Sequence, residues 1–127
     1  MTGMSMTWDG DDAGEVEDPT PADLEERIRQ LDGSGRTIVM LEGEGGYLAV
    51  GGSAADGLVV YADLGDGDFW SARSPGTDST ETVVVVAGGQ PGDYEARLVT
   101  TPEVAMTAAT TFLASGTLSD AIGWEKS

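Results

Sequence analysis

The chain has 127 residues, enough for one domain with its own core, and carries 23 acidic side chains against six basic ones, a formal net charge of −17. It contains no cysteine and no histidine, which excludes disulfides, thiolate metal sites and Ser-His or Cys-His nucleophile pairs. So few cations also argue against direct binding of nucleic acid, which requires Lys and Arg to neutralise phosphate.

Residues 1–19 read as an acidic tail, with Asp9, Asp11, Asp12, Glu15, Glu17 and Asp18 and little that is apolar apart from Trp8 and Val16. Such a composition has too little apolar surface to offset the entropy of ordering, so the expectation is disorder. Trp8 could pin the segment onto the body, but the expectation remains a disordered tail. Nothing here has the basic and then apolar order of a secretion signal. The folded domain is expected over residues 20–127.

Thr20-Pro-Ala-Asp23 has the form of a capping box, a threonine cap with an acid three residues on. Leu24, Ile28 and Leu31 follow as a narrow apolar stripe, and Gly33 and Gly35 end the helix. Short β-type runs come next, at residues 37–42, 47–51, 58–62, 69–73, 82–87 and 93–100. Gly45-Gly46, Asp56-Gly57 and Gly65-Asp66-Gly67 separate the early ones, as tight turns do. The run at residues 82–87 is nearly pure valine, which predicts a central strand buried on both faces. Short connections without intervening helices predict an antiparallel meander.

The chain closes on a second helix. Thr100 or Thr101 can cap it, Pro102 suits its first turn, and Glu103 faces the positive end of its dipole. Val104, Ala105, Ala108, Ala109, Phe112 and Leu113 form one apolar face, and Gly116 suits the left-handed residue that ends a helix. Ile122-Gly-Trp124-Glu125 reads as a short extended return. The fold class is therefore α+β: an antiparallel sheet of five to six strands with an N-terminal and a C-terminal helix packed on it. The longest apolar run, Val83 to Ala87, is too short to cross a bilayer, and a soluble, cytoplasmic protein is expected.

Most candidate chemistry fails on context. Gly43-Glu-Gly-Gly46 and Gly88-Gly-Gln-Pro-Gly92 lie between strands, with no following helix to hold a phosphate. Asp63-Leu-Gly-Asp66-Gly-Asp68 is oxygen-rich but lacks the glycine spacing and bidentate Glu of a calcium loop. Carboxylates are abundant, yet all fall in polar, glycine-rich turns where nothing shifts their pKa toward acid–base work. No catalytic residue, cofactor or metal is expected. The acidity has two readings: solvation of the chain, or a surface that attracts a basic protein. Trp70 stands beside the acidic turn and fits the rim of a binding surface, whereas Trp124 fits a structural role.

Thr82 to Gly89 (T-V-V-V-V-A-G-G), Leu98 to Ala105 (L-V-T-T-P-E-V-A), Ala108 to Leu118 (A-A-T-T-F-L-A-S-G-T-L) and Ile122 to Glu125 (I-G-W-E) form a distinctive series. It resembles immunity protein family one of bacterial polymorphic toxin systems. The resemblance implies a stoichiometric inhibitor of a cognate toxin domain, typically a nucleic-acid deaminase, and so a partner with a basic surface. An acidic protein would occupy the toxin's groove by imitating phosphate charge. The contact residues expected on this basis are Glu42, Glu44, Asp63, Asp66, Asp68 and Trp70, with Phe112, Gly116 and Trp124 structural. An acidic secretion chaperone, holding an effector by an exposed apolar strand edge, is the alternative from a different class.

Overall fold

Thr20 and Thr101 open the helices in the same way, by closing an orphaned backbone donor onto a hydroxyl. In α1 (Pro21–Arg29), the Thr20 hydroxyl accepts the Asp23 N–H at 3.2 Å while the Asp23 carboxylate accepts the Thr20 N–H at 2.9 Å. In α2 (Pro102–Ser115), the Thr101 hydroxyl accepts the Val104 N–H at 3.4 Å, and Gly116 closes the other end with φ of 71°. Each threonine cap stabilises its helix by about 1 kcal/mol. The structure, a computed structural model, describes residues 4–10, 12–65 and 67–126.

Strands β1 (Ser5–Trp8), β2 (Gly14–Glu17), β3 (Ile38–Gly43), β4 (Gly46–Ser53), β5 (Gly57–Asp63) and β6 (Phe69–Ala72) follow in chain order. Then come β7 (Thr82–Ala87), β8 (Gln90–Glu95) and, after α2, β9 (Trp124–Lys126). Seven of these build one antiparallel sheet in the order β2-β1-β3-β4-β5-β6-β9, and β7 pairs with β8 in a separate two-stranded ribbon. The fold is α+β as expected, with a wider sheet than the five to six strands anticipated.

Strand parity sorts the sheet into two faces. Val16, Met6, Leu41, Leu48, Ala62, Trp70 and Lys126 stand in one cross-strand row, and Trp8, Val39, Val50 and Val60 in the next. This face meets Leu24 and Ile28 of α1 and Ala105, Ala108, Ala109 and Phe112 of α2 in the main core. Trp124 packs against that core and donates its indole N–H to the Ser119 carbonyl at 3.0 Å. No helix of the described residues is long and apolar enough to cross a membrane.

The segment expected to be a disordered tail, residues 1–19, instead carries β1 and β2. Met6 is 1% exposed beneath the helices, and the Arg27 guanidinium lies 3.8 Å over the Trp8 ring. Asp12 forms ion pairs with Arg27 at 3.3 Å and Arg36 at 3.1 Å. Glu15 and Glu17, two of the acids that suggested disorder, are the outward half of alternating β2, and two of the chain's few cations, Arg27 and Arg36, hold the hairpin down through Asp12.

The valine run is not a central strand buried on both faces. Gly88 and Gly89 adopt φ of 64° and 80°, the left-handed pair of a type I′ turn, so β7 folds straight back onto β8. The ribbon lies over β4, where Val85 is buried but Val84 is 68% exposed. The strand expected over 93–100 ends at Glu95, where a 3-10 turn (Ala96–Leu98) carries the chain to Thr100. Thr100 exchanges backbone hydrogen bonds with Leu58.

The ribbon reaches the sheet only because Gly51 has no side chain; a Cβ there would stand 2.5 Å from the Ala87 Cβ. Gly51→Ala should therefore cost about 1–3 kcal/mol in urea unfolding, and a smaller cost would mean the ribbon is loosely docked. Met6→Ala should cost about 2–5 kcal/mol, whereas a tail residue would cost nothing measurable.

Candidate functional site

The sheet face turned away from the helices has a composition the core face lacks. One row across it reads Glu17, Ser5, Glu42, Tyr47, Asp63 and Phe69; the next reads Glu15, Thr7, Met40, Ala49, Tyr61, Ser71 and Glu125. Strand pairing alone sets these neighbours, since directly opposed residues share a face. The result is a band in which carboxylates flank aromatic rings.

The rings form a cluster. Tyr47 meets Tyr61 edge-on at 6.4 Å between centroids and Phe69 at 6.5 Å. Phe69 is 45% exposed. The β7–β8 ribbon covers the other end of this face, and between it and the sheet lies a groove of about 360 Å³ bordered by Val59, Tyr61, Phe69, Ser71, Tyr94 and Leu98. Burial pushes the Tyr61 hydroxyl above its ordinary pKa, with Tyr94 and Tyr47 adding to it. Burial and then the Asp63 charge raise Tyr47 likewise. Both remain neutral phenols, and so hydrogen-bond donors, across the physiological range.

Two acidic turns meet at the end of the band. Glu44 sits in the β3–β4 turn, and a Cβ on Gly65 of the β5–β6 turn would stand 2.4 Å from the Gly45 carbonyl. Asp63 starts the second turn by accepting the Gly65 N–H at 2.7 Å. The structure thus gathers Glu42, Glu44 and Asp63 at one corner. Asp66 lies outside the described residues. Asp68 pairs with Lys126 at 3.2 Å. Trp70 stands on the core face, in register with Ala62, opposite to its neighbour Phe69. Tyr47, Tyr61 and Phe69, aromatics near the acidic turns, supply the rings of the face, and Glu15 and Glu17 join it without having been expected as contact residues. The Glu-Val-Glu alternation of β2 was the available signal for these two acids.

One cation offsets a carboxylate of this face, Arg97 at Glu125. Every Lys and Arg is in an ion pair: Arg27 and Arg36 with Asp12, Arg29 with Glu25, Arg73 with Asp78, Arg97 with Glu95 and Glu125, and Lys126 with Asp68. No group of three or more acidic side chains among the described residues is arranged to hold a metal ion. The arrangement suits a flat protein contact: carboxylates for cations, rings for cations or apolar side chains.

The acids whose pKa is lowered lie elsewhere. Partial burial raises that of Asp9, but hydrogen bonds from the Thr37 hydroxyl and the Thr37 and Ile38 amides outweigh it and hold the group low. A depressed value adds stability above the ordinary 3.8 and loses it as pH falls through the folded value. Asp9→Asn should therefore lower the melting temperature at pH 7, with the gap to wild type closing on acidification below about pH 4. A gap that persisted at low pH would assign Asp9 a role independent of charge.

Comparison with known proteins adds one match: the family model described as Immunity protein Imm1 fits residues 12–126. No curated protein and no solved structure matches the chain.

Proposed function

The chain belongs to the Imm1 family of immunity proteins, and from this premise we propose that it binds and neutralises a toxin by covering the toxin's basic active-site groove. The observation that carries this reading is the acidic and aromatic band on the helix-free face, in a chain whose every cation is already paired. Glu42, Glu44 and Asp63 supply charge at one corner of the contact, and Tyr47, Tyr61 and Phe69 supply area next to it. Asp68 extends the acidic corner along the β5–β6 turn, its charge shared by Lys126, and Asp66, two positions before it in the sequence, is a further contact residue.

The partner is a toxin domain of the nucleic-acid deaminase class. A domain that handles nucleic acid needs Lys and Arg along its substrate groove, and a negative face of fixed geometry competes for that groove as phosphates do. The chain's own role is binding, with no step of chemistry. Aromatic side chains beside carboxylates favour this over simple solvation, because solvation needs the acids but not the rings.

The chain, tagged and incubated in lysate of its native host at low salt, should capture one polypeptide ending in a basic toxin domain and release it as salt rises. Purified, that domain should lose its activity at one equivalent of the chain. In stopped flow, Glu42→Lys combined with Glu44→Lys should slow association about tenfold at low salt, with unchanged thermal stability. Wild-type association by this variant would sink the assignment of the face.

A further inference from the structure

The β7 edge is a second docking surface: we propose that β7 accepts an extended partner segment, rich in Lys or Arg, as an added strand. In a two-residue hairpin closed by Ala87 and Gln90, the backbone groups of Val83, Val85 and Ala87 point to β8. Those of Thr82, Val84 and Val86 therefore point outward, and no hydrogen bond to them is found among the described residues. An open row of backbone donors and acceptors is a template for another strand.

The other edges of this fold are guarded. β2 is four residues long and carries Glu15 and Glu17, and β9 has three residues, two of them charged. The outer edge of β8 carries Pro91, which lacks a donor, and Asp93. β7 has neither charge nor proline: Thr-Val-Val-Val-Val-Ala, with Val83 and Val84 exposed at 41% and 68%. A stretch so prone to pairing is left open where pairing is used.

Charge selects the occupant. A groove of about 450 Å³ runs along the β7 edge, bordered by Asp32, Ser53, Asp56, Gly57 and Val83 to Val86, with no Lys or Arg. The Asp32 carboxylate is held below its ordinary value by the amides of Arg36 and Ser34, so it stays charged. A second copy would bring another −17 against this one. A segment alternating cationic with apolar side chains fits both the acids and the valines. This deepens the reading above, since it gives the same basic partner a second contact on the ribbon.

The test uses a capped hexapeptide of alternating lysine and valine, with a glutamate–valine peptide as control, and residue-resolved amide exchange by NMR. In the free protein the amides of Thr82, Val84 and Val86 should exchange rapidly. An excess of the lysine peptide should slow them about tenfold, and the glutamate peptide should not. Val84→Pro removes one outward donor and spares the β8 ladder; Asp56→Asn removes only charge. Both should weaken peptide binding about tenfold or less while the far-ultraviolet spectrum is unchanged. Unchanged exchange with the lysine peptide overturns the proposal, as does equal protection by both peptides. Outward amides already protected in the free protein, with a dimer in sedimentation, would give the edge to a second copy. No toxin is used, so failure here leaves the covering of a toxin groove to its own experiment.

Discussion

The clasp between Asp9 and Thr37 holds three parts of the molecule that strand pairing alone would leave loosely joined. Asp9 follows β1 and takes the amide of Thr37, its hydroxyl and the amide of Ile38 at the start of β3. The Thr37 hydroxyl, donating to Asp9, accepts the Gly89 N–H from the ribbon turn at 2.8 Å, and its carbonyl accepts the Gly52 N–H from β4 at 3.0 Å. Thr37 is 1% exposed. Hydrogen bonds to a carboxylate are stronger than neutral ones, and a buried hydroxyl left without partners is costly. One acid thus fixes the N-terminal hairpin to the sheet and, through Thr37, the ribbon to both.

The clasp also explains why so acidic a chain tolerates its acidity. Acids that order the chain, such as Asp9, Asp12 and Asp23, are consumed by backbone amides or arginines. Others, such as Glu15, Glu17, Glu42 and Glu44, project from strands and turns where water solvates them. Their repulsion is accepted on one face because the other face and both helices carry the apolar contact. Burying Leu24, Ile28, Leu41, Leu48 and Phe112 gives about 1.5–3 kcal/mol each, more than scattered surface repulsion removes.

The helix starts and the end of α2 were legible in the sequence, because capping is local: Thr20 with Asp23, Thr101 with Pro102, Gly116 after Phe112-Leu113; α1 stops at Arg29, short of the Gly33 and Gly35 expected to end it. So were β3 to β6, whose turns are marked by glycine. The N-terminal hairpin was not, since Met6 is buried, and Trp8 and Val16 partly so, against a core built from residues far along the chain, and composition averages cannot see that. The valine strand misled in the opposite sense. Uniform valine describes a strand but not its layer, and Gly88-Gly89 sent it into a local ribbon. The candidate face was half legible. Glu42, Glu44 and Asp63 were read from their turns, but Trp70 and Phe69 are adjacent aromatics that must point to opposite sides, and only the pairing of Ala62 with Trp70 decides which.

The ribbon gives the two surfaces a common cause. It could not lie on the sheet without Gly51, and lying there it buries Ala49 and Val59, which would otherwise be apolar patches between the carboxylates. What stays open is the half of the face where rings and acids alternate, bounded on one side by Tyr94 of the ribbon itself. Yet β7 lies over the main sheet instead of within it, and so keeps one edge without a neighbour among the described residues. A single topological choice, a hairpin folded over the sheet rather than inserted into it, therefore confines the acidic face and creates the free edge beside Asp32 and Asp56. A strand inserted into the sheet would have removed both.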